Sequence, residues 1–226
     1  MASTETRSSL VNRYLDPATS LAEIMFGLIM TLTFTLGAGI IIQDEGREGA
    51  RQLLIAVIGC NVAWGIIDGA LYIMNEMFGR GRIRRLTQAV QATRDDRDAV
   101  TVVAGELDGL IEEISDRSER EALYLRIATH LRSRSSASTG IEKADVMGAF
   151  ASFWLVTLTS VPAAIPFLFI DDAFLALRIS NAILLGLLFV TGYLWSRYTL
   201  GNPWVAGFCF LVGGAALVAV AIALGG

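Results

Sequence analysis

A carboxylate set inside a long apolar run is the sharpest chemical signal in this chain. Asp68 stands well within Leu53–Met77. An ionisable group at such depth in hydrocarbon costs roughly 2.5 kcal/mol or more, so it marks a functional position by default. Asn61, Gly65, Asp68, Tyr72 and Asn75 fall at i, i+4, i+7, i+11 and i+14, which is one helical stripe. That stripe must face protein or water rather than lipid. On the preceding apolar run, Glu23, Gly27, Met30 and Phe34 form a comparable line, with Thr31 and Thr35 beside it. Antiparallel helices would bring Glu23 and Glu76 near the cytoplasmic membrane surface and leave Asp68 deeper. The candidate site residues are therefore Asp68, Met30, Glu23, Glu76, Asn61 and Asn75. The expected chemistry is proton binding at Asp68, where desolvation favours the neutral acid. Two plainer readings stand beside it: a helix–helix hydrogen bond from a neutral Asp68, and interfacial anchoring by Glu23 and Glu76.

These residues need spanning helices to hold them, and the composition supplies them. Of 226 residues, 54% are hydrophobic and 18% charged, against about 45–50% and 25% in ordinary soluble domains. The charge is clumped, with twelve of the eighteen Lys and Arg between Arg80 and Lys143. Five runs reach the length of about 20 apolar residues that a bilayer demands: about Leu21–Ile42, Leu53–Met77, Val146–Ile170, Ala173–Trp195 and Pro203–Leu224. Their continuity, without alternation, selects helices over a barrel. Asp16, Pro17 and Glu23 stand where a cleaved leader would carry basic residues, so the first run is a span. With the N-terminus cytoplasmic, Arg7, Arg13, the central basic residues and Arg197 lie inside. Only Arg47, Arg51 and Arg178 are left outside, which predicts N-in, C-out. The chain is expected to end at Leu217–Gly226, in or just beyond the last span, with no cargo domain.

The third run carries Thr157, Thr159, Ser160, Pro162 and Pro166. Prolines remove backbone donors, and such breaks face protein or a cavity in membranes. Gly207, Gly213, Gly214, Ala215 and Ala216 in the fifth run suit close helix packing.

Between the second and third runs, Val100, Val103, Leu107, Leu110, Ile111 and Ile114 recur at helical spacing. Leu123, Ile127 and Leu131 repeat it after a break at Ser115–Arg117, and Ser118 with Glu121 has the spacing of a capping box. This predicts a helical hairpin over about Arg82–Ser133 and a linker over Ser133–Gly140. The expected organisation is residues 1–79 for spans one and two, 80–143 for the cytoplasmic insert and 144–226 for spans three to five. The acidic residues Glu106, Asp108, Glu112, Glu113, Asp116, Glu119 and Glu121 suit either a metal site or a solvated face balanced by Arg117, Arg120 and Arg126. His130, the single histidine, reads as a surface residue because one imidazole without clustered partners holds no transition metal.

Several classes drop out. A net charge of −4 and a pI near 5.1 leave no basic surface for nucleic acid. Cys60 and Cys209 lie in apolar runs and build neither a disulfide framework nor a zinc site. No Ser/His/Asp set, phosphate loop or carboxylate pair near His130 supports an enzyme, and no cofactor is expected. The fold class is all-α: a polytopic membrane protein with five transmembrane helices and a helical cytoplasmic insert between the second and third.

That layout resembles the vacuolar iron transporter family of divalent-metal/proton exchangers. Phe150-Ala151-Ser152-Phe153, followed by Pro162-Ala163-Ala164-Ile165-Pro166-Phe167, looks like its third span with paired prolines. Gly192-Tyr193-Leu194 to Arg197-Tyr198-Thr199, then Gly207 to Gly214, are similar to its fourth-span end and glycine-rich fifth span. The resemblance implies proton-coupled exchange of a divalent cation such as Fe²⁺ or Mn²⁺, with the lipid bilayer, protons and the cation as partners. On that implication Asp68, Met30, Glu23, Glu76, Asn61 and Asn75 are the candidate metal ligands, and Asp68 is the switch, since a bound divalent cation favours its carboxylate. It also implies a homodimer with the path between two first spans, where Gly27, Thr31 and Ala38 would let the helices approach. This chain departs from the family pattern at the path. Met30 stands where the family's first span has an aspartate, and Asp68-Gly69 stands where its second span has serine and methionine. The insert lacks the family's dense Glu-x-x-Glu series. The alternative reading is a non-transporting membrane protein of the same fold whose insert recruits a partner. The expected location is a bacterial inner membrane.

Overall fold

The computed structural model describes residues 15–37, 39–135 and 140–223, without the side chains at 39–45, 110, 221 and 222. Arg7, Arg13, Ala38, the Leu110 side chain and residues 136–139 of the expected linker therefore lie outside the described set, as do residues 224–226. Among the described residues every regular element is helical. The helices are α1 (Pro17–Gly37), α2 (Gly39–Ala92), α3 (Asp96–Ile111), α4 (Arg117–Ser133), α5 (Lys143–Leu158), α6 (Val161–Phe169), α7 (Ala173–Thr199) and α8 (Pro203–Ala223). Five stretches are long and apolar enough to cross a membrane: Pro17–Gly37, Gly46–Ala92, Lys143–Phe169, Ala173–Thr199 and Pro203–Val220. These are the five expected runs with shifted ends, because helical hydrogen bonding continues past the apolar residues. The chain divides into two compact units, one of Met1–Tyr72 with Lys143–Gly226 and one of Ile73–Glu142.

In the first unit α1 packs against α5, α7 and α8. Asp16 opens it: the carboxylate accepts from Ala18 N (2.9 Å), Thr19 N (3.0 Å) and Thr19 Oγ1 (2.6 Å). These bonds hold the Asp16 carboxyl below its usual range, as at other acidic helix starts. Leu28 and Leu32 of α1 meet Ala163, Leu184, Leu188 and Val218 in one buried cluster. Between apolar helices in lipid, close packing does the work that water exclusion does elsewhere. Small residues therefore sit where helices touch. A Cβ at Gly214 would come within 2.2 Å of Leu188, and one at Gly207 within 2.6 Å of Phe189. Gly213, expected to share this role, has nothing within 4 Å.

The third span breaks into α5 and α6 at Thr159–Ser160, with Pro162 in the first turn of α6 and Pro166 inside it. The carbonyls at the break are satisfied locally: Thr159 Oγ1 donates to Val156 O (2.6 Å) and Ser160 Oγ to Thr157 O (2.7 Å). From α7, Ser180 Oγ donates to Ala163 O (2.9 Å). Irregular backbone at membrane depth requires such internal partners. At the start of the second span Gly46 leaves the helical region with φ 57°, a conformation that glycine adopts without a Cβ clash. Nearby, Arg47 pairs with Asp171 at 2.7 Å, both exposed, which contributes less than about 1 kcal/mol.

The second unit is held by Val90, Ala99, Val103, Tyr124, Ala128 and Leu131. Val100, Leu107, Ile111 and Ile127 pack around them, while Ile114 and Leu123 are exposed. The expected periodicity is therefore mostly the packed face. The expected capping box is not formed. Helix α4 starts at Arg117 after Asp116, which makes no side-chain cap bond, and Glu121 pairs with Arg117 at 3.2 Å instead. Tyr124 Oη donates to Asp108 Oδ1 (2.6 Å). Burial and that carboxylate push the Tyr124 phenol up to about 12. Glu106 pairs with Arg82 and Asp96 with Arg132. His130 is exposed in the last turn of α4.

Candidate functional site between the first three spans

The stripe on α2 meets protein at each position within the first unit. Asn61, 1% exposed, donates from Nδ2 to Thr31 Oγ1 at 2.8 Å. Thr31 Oγ1 donates in turn to Gly27 O (2.9 Å). A Cβ at Gly65 would lie 2.8 Å from Phe153 O and 2.9 Å from Thr157 Oγ1, so α5 is held directly against α2. At Gly69 the close neighbour is Ala149 O, 3.0 Å from such a Cβ. The Tyr72 ring fills the space over Gly148, where a Cβ would come within 2.2 Å. The opposite side of α2 carries Ile55, Ile58, Ile66, Ile67 and Leu71, all exposed, as a lipid-facing surface should.

This packing brings two carboxylates together. Glu23 of α1 and Asp68 of α2 lie close enough to interact directly, with the Ser152 hydroxyl of α5 beside Glu23. Asp68 Oδ2 and Ser152 Oγ are both shut away from solvent and have no hydrogen-bond partner among the described residues. Ser152 is 0% exposed. Two like charges held this close repel, and a proton or a cation between their oxygens would relieve that repulsion.

The remaining expected ligands are placed elsewhere. Met30 is half-buried and adjoins Thr31, at the level of Asn61. Seven residues separate Asn61 from Asp68, which is about 10 Å of helix rise. Asn61 itself is engaged with Thr31. Asn75 and Glu76 belong to the second unit and are exposed, and the residue that faces Glu23 is Asp68. On α1 the protein-facing line runs through Glu23, Gly27, Thr31 and Thr35, the last three of them buried, while Phe34 is exposed. Phe26 packs edge-on to Trp64 at 5.3 Å. Gly27 and Thr31, expected to admit a second copy, are occupied within the chain: a Cβ at Gly27 would meet Thr159 Oγ1 at 2.2 Å.

Ser152 was legible only as part of a small-residue pattern. Asp145, 2% exposed on α5, is a further acidic residue, and its position just before the third apolar run hides it from a search by run length. Among the described residues no group of three or more His, Cys, Asp or Glu side chains is arranged to hold a metal ion. Any cation at the Glu23–Asp68 pair therefore needs oxygen atoms of other kinds.

A model of the VIT family matches residues 82–226. The match takes in most of the second unit and the third to fifth spans, where the paired prolines and the glycine-rich segments lie. The Glu23–Asp68 pair falls outside it. A comparison with curated proteins finds no match.

Proposed function

The chain belongs to the VIT family, the vacuolar iron transporters, and we propose that it is a membrane transporter that exchanges a divalent cation of the Fe²⁺ or Mn²⁺ type for protons. The observation that supports this most directly is the Glu23–Asp68 pair between the first two spans. A divalent cation neutralises both carboxylates and expels the protons that otherwise hold them together, so cation arrival and proton departure share one site. Asp68 is the switching group because it lies on the stripe of α2 that is enclosed by α1 and α5. Glu23 is its partner.

The positive-inside distribution supports a cytoplasmic N-terminus and an outside C-terminus. The second unit is then cytoplasmic. Homodimer formation belongs to the same proposal, with a second copy meeting the Phe26 and Phe34 side of α1, since Gly27 and Thr31 are already packed. A second reading, recruitment of a partner by the second unit, rests on its separate compact core.

Proteoliposomes loaded with a pH dye decide between them. Uptake of Fe²⁺ or Mn²⁺ with counterflow of protons, lost in Asp68→Asn, supports exchange. A wild-type rate in Asp68→Asn across about pH 6 to 8 makes the carboxylate structural and removes the mechanism.

A further inference from the structure

The third span has no assigned part in ion handling, yet it brings an unsatisfied hydroxyl to the two carboxylates. Ser152 Oγ lies beside the Glu23 carboxyl at 0% exposure, and no hydrogen bond of regular geometry satisfies it among the described residues. Asp68 Oδ2 is orphaned in the same way, and so is Thr157 Oγ1, which approaches α2 at Gly65. Buried hydroxyls and carboxylates are almost always partnered, so several unpaired oxygens in one place form a donor set suited to a cation. The close approach is built into the sequence, since Gly65 and Gly69 let α5 lie backbone-near against α2 on either side of Asp68.

We propose that Ser152 is a cation ligand, closing with Glu23 and Asp68 an all-oxygen site inside a single chain between the first, second and third spans. This rests on the exchange reading and names its substrate class: a hard divalent cation that accepts carboxylate, hydroxyl and water oxygens. Thioether sulfur does not enter, because Met30 lies about two helical turns from the pair. Oxygen-only donor sets select Mn²⁺, Mg²⁺ and Ca²⁺ over soft ions. Thr157 Oγ1 is the neighbouring oxygen toward Gly65.

The test is equilibrium binding of Mn²⁺ and Cd²⁺ to the full-length chain in mild detergent, comparing wild type with Asp68→Asn, Ser152→Ala and Ser152→Cys. Asp68→Asn should abolish Mn²⁺ binding, and Ser152→Ala should weaken it about tenfold. Ser152→Cys should move the Cd²⁺-to-Mn²⁺ preference toward Cd²⁺ by about tenfold, because a sulfur donor has replaced oxygen. A gain in Cd²⁺ affinity cannot come from a folding defect. If Asp68→Asn abolishes binding while both Ser152 variants keep wild-type affinities for both ions within about twofold, the third-span ligand is refuted and the carboxylate site stands. If the wild type binds neither ion, the exchange reading falls and this proposal with it.

Discussion

Asn61 donates a 2.8 Å hydrogen bond to Thr31, which marks the level at which the first two spans meet. Helices running antiparallel and joined there bring residues near 23 level with residues near 68. The carboxylate pair lies about two turns from that contact, in the register the contact is compatible with.

Removing that contact should loosen the pair without touching it. Thr31→Val keeps the volume and leaves the Asn61 amide unsatisfied. The expected cost is about 0.5–2 kcal/mol. A lower thermal midpoint in detergent checks it, and an unchanged midpoint means the bond does not hold the spans.

Gly27 admits no side chain in the present packing. A methyl there would strike Thr159 Oγ1 and lie 3.0 Å from Val156 O, and only the hydroxyl can move cheaply. Gly27→Ala should cost about 1–3 kcal/mol. Thr159→Ala in the same chain should return part of that loss, measured as a double-mutant cycle of unfolding midpoints.

Glu23→Gln should separate the two carboxylates by charge while preserving shape. With one carboxylate left, a divalent cation keeps less of its neutralisation, so uptake should fall about tenfold or more and the proton counterflow per cation should drop. Equal cation uptake with an unchanged proton ratio would show that Glu23 is a bystander.

Tyr124 should make the second unit sensitive to alkali. Its phenol is pushed up to about 12 from an ordinary value of 10, so folding favours the protonated form. The stabilisation is therefore complete below about pH 10 and is lost as the pH rises through about 12. Ultraviolet titration of tyrosinate should show a late-ionising component that is lost in Tyr124→Phe.

Met30→Leu separates the sequence reading from the tertiary one. A thioether ligand predicts selective loss of softer metals. The position of Met30 at the level of Asn61 predicts that Fe²⁺, Mn²⁺ and Ca²⁺ uptake all change by less than about twofold. Competitive uptake of the three ions gives the answer directly.

Five helices long and apolar enough to span a bilayer are readable from residue order alone, since twenty apolar residues without alternation leave the backbone no other way to satisfy its polar groups in lipid. So is the protein-facing stripe shared by Asn61, Gly65, Asp68 and Tyr72, because spacing along one helix is intrinsic to that helix. What the stripe faces is visible only once the helices are packed. The axial offset and rotation of neighbouring helices depend on contacts between residues far apart in the chain: Asn61 on Thr31, Gly65 on Phe153, Gly27 on Thr159. Those contacts placed Glu23 opposite Asp68, moved the packed line of α1 onto Thr31 and Thr35, and set Ser152 beside the pair. Periodicity carries no information on that offset. A shift of one turn, about 5.4 Å, is invisible in either sequence pattern and sufficient to exchange one ligand for another.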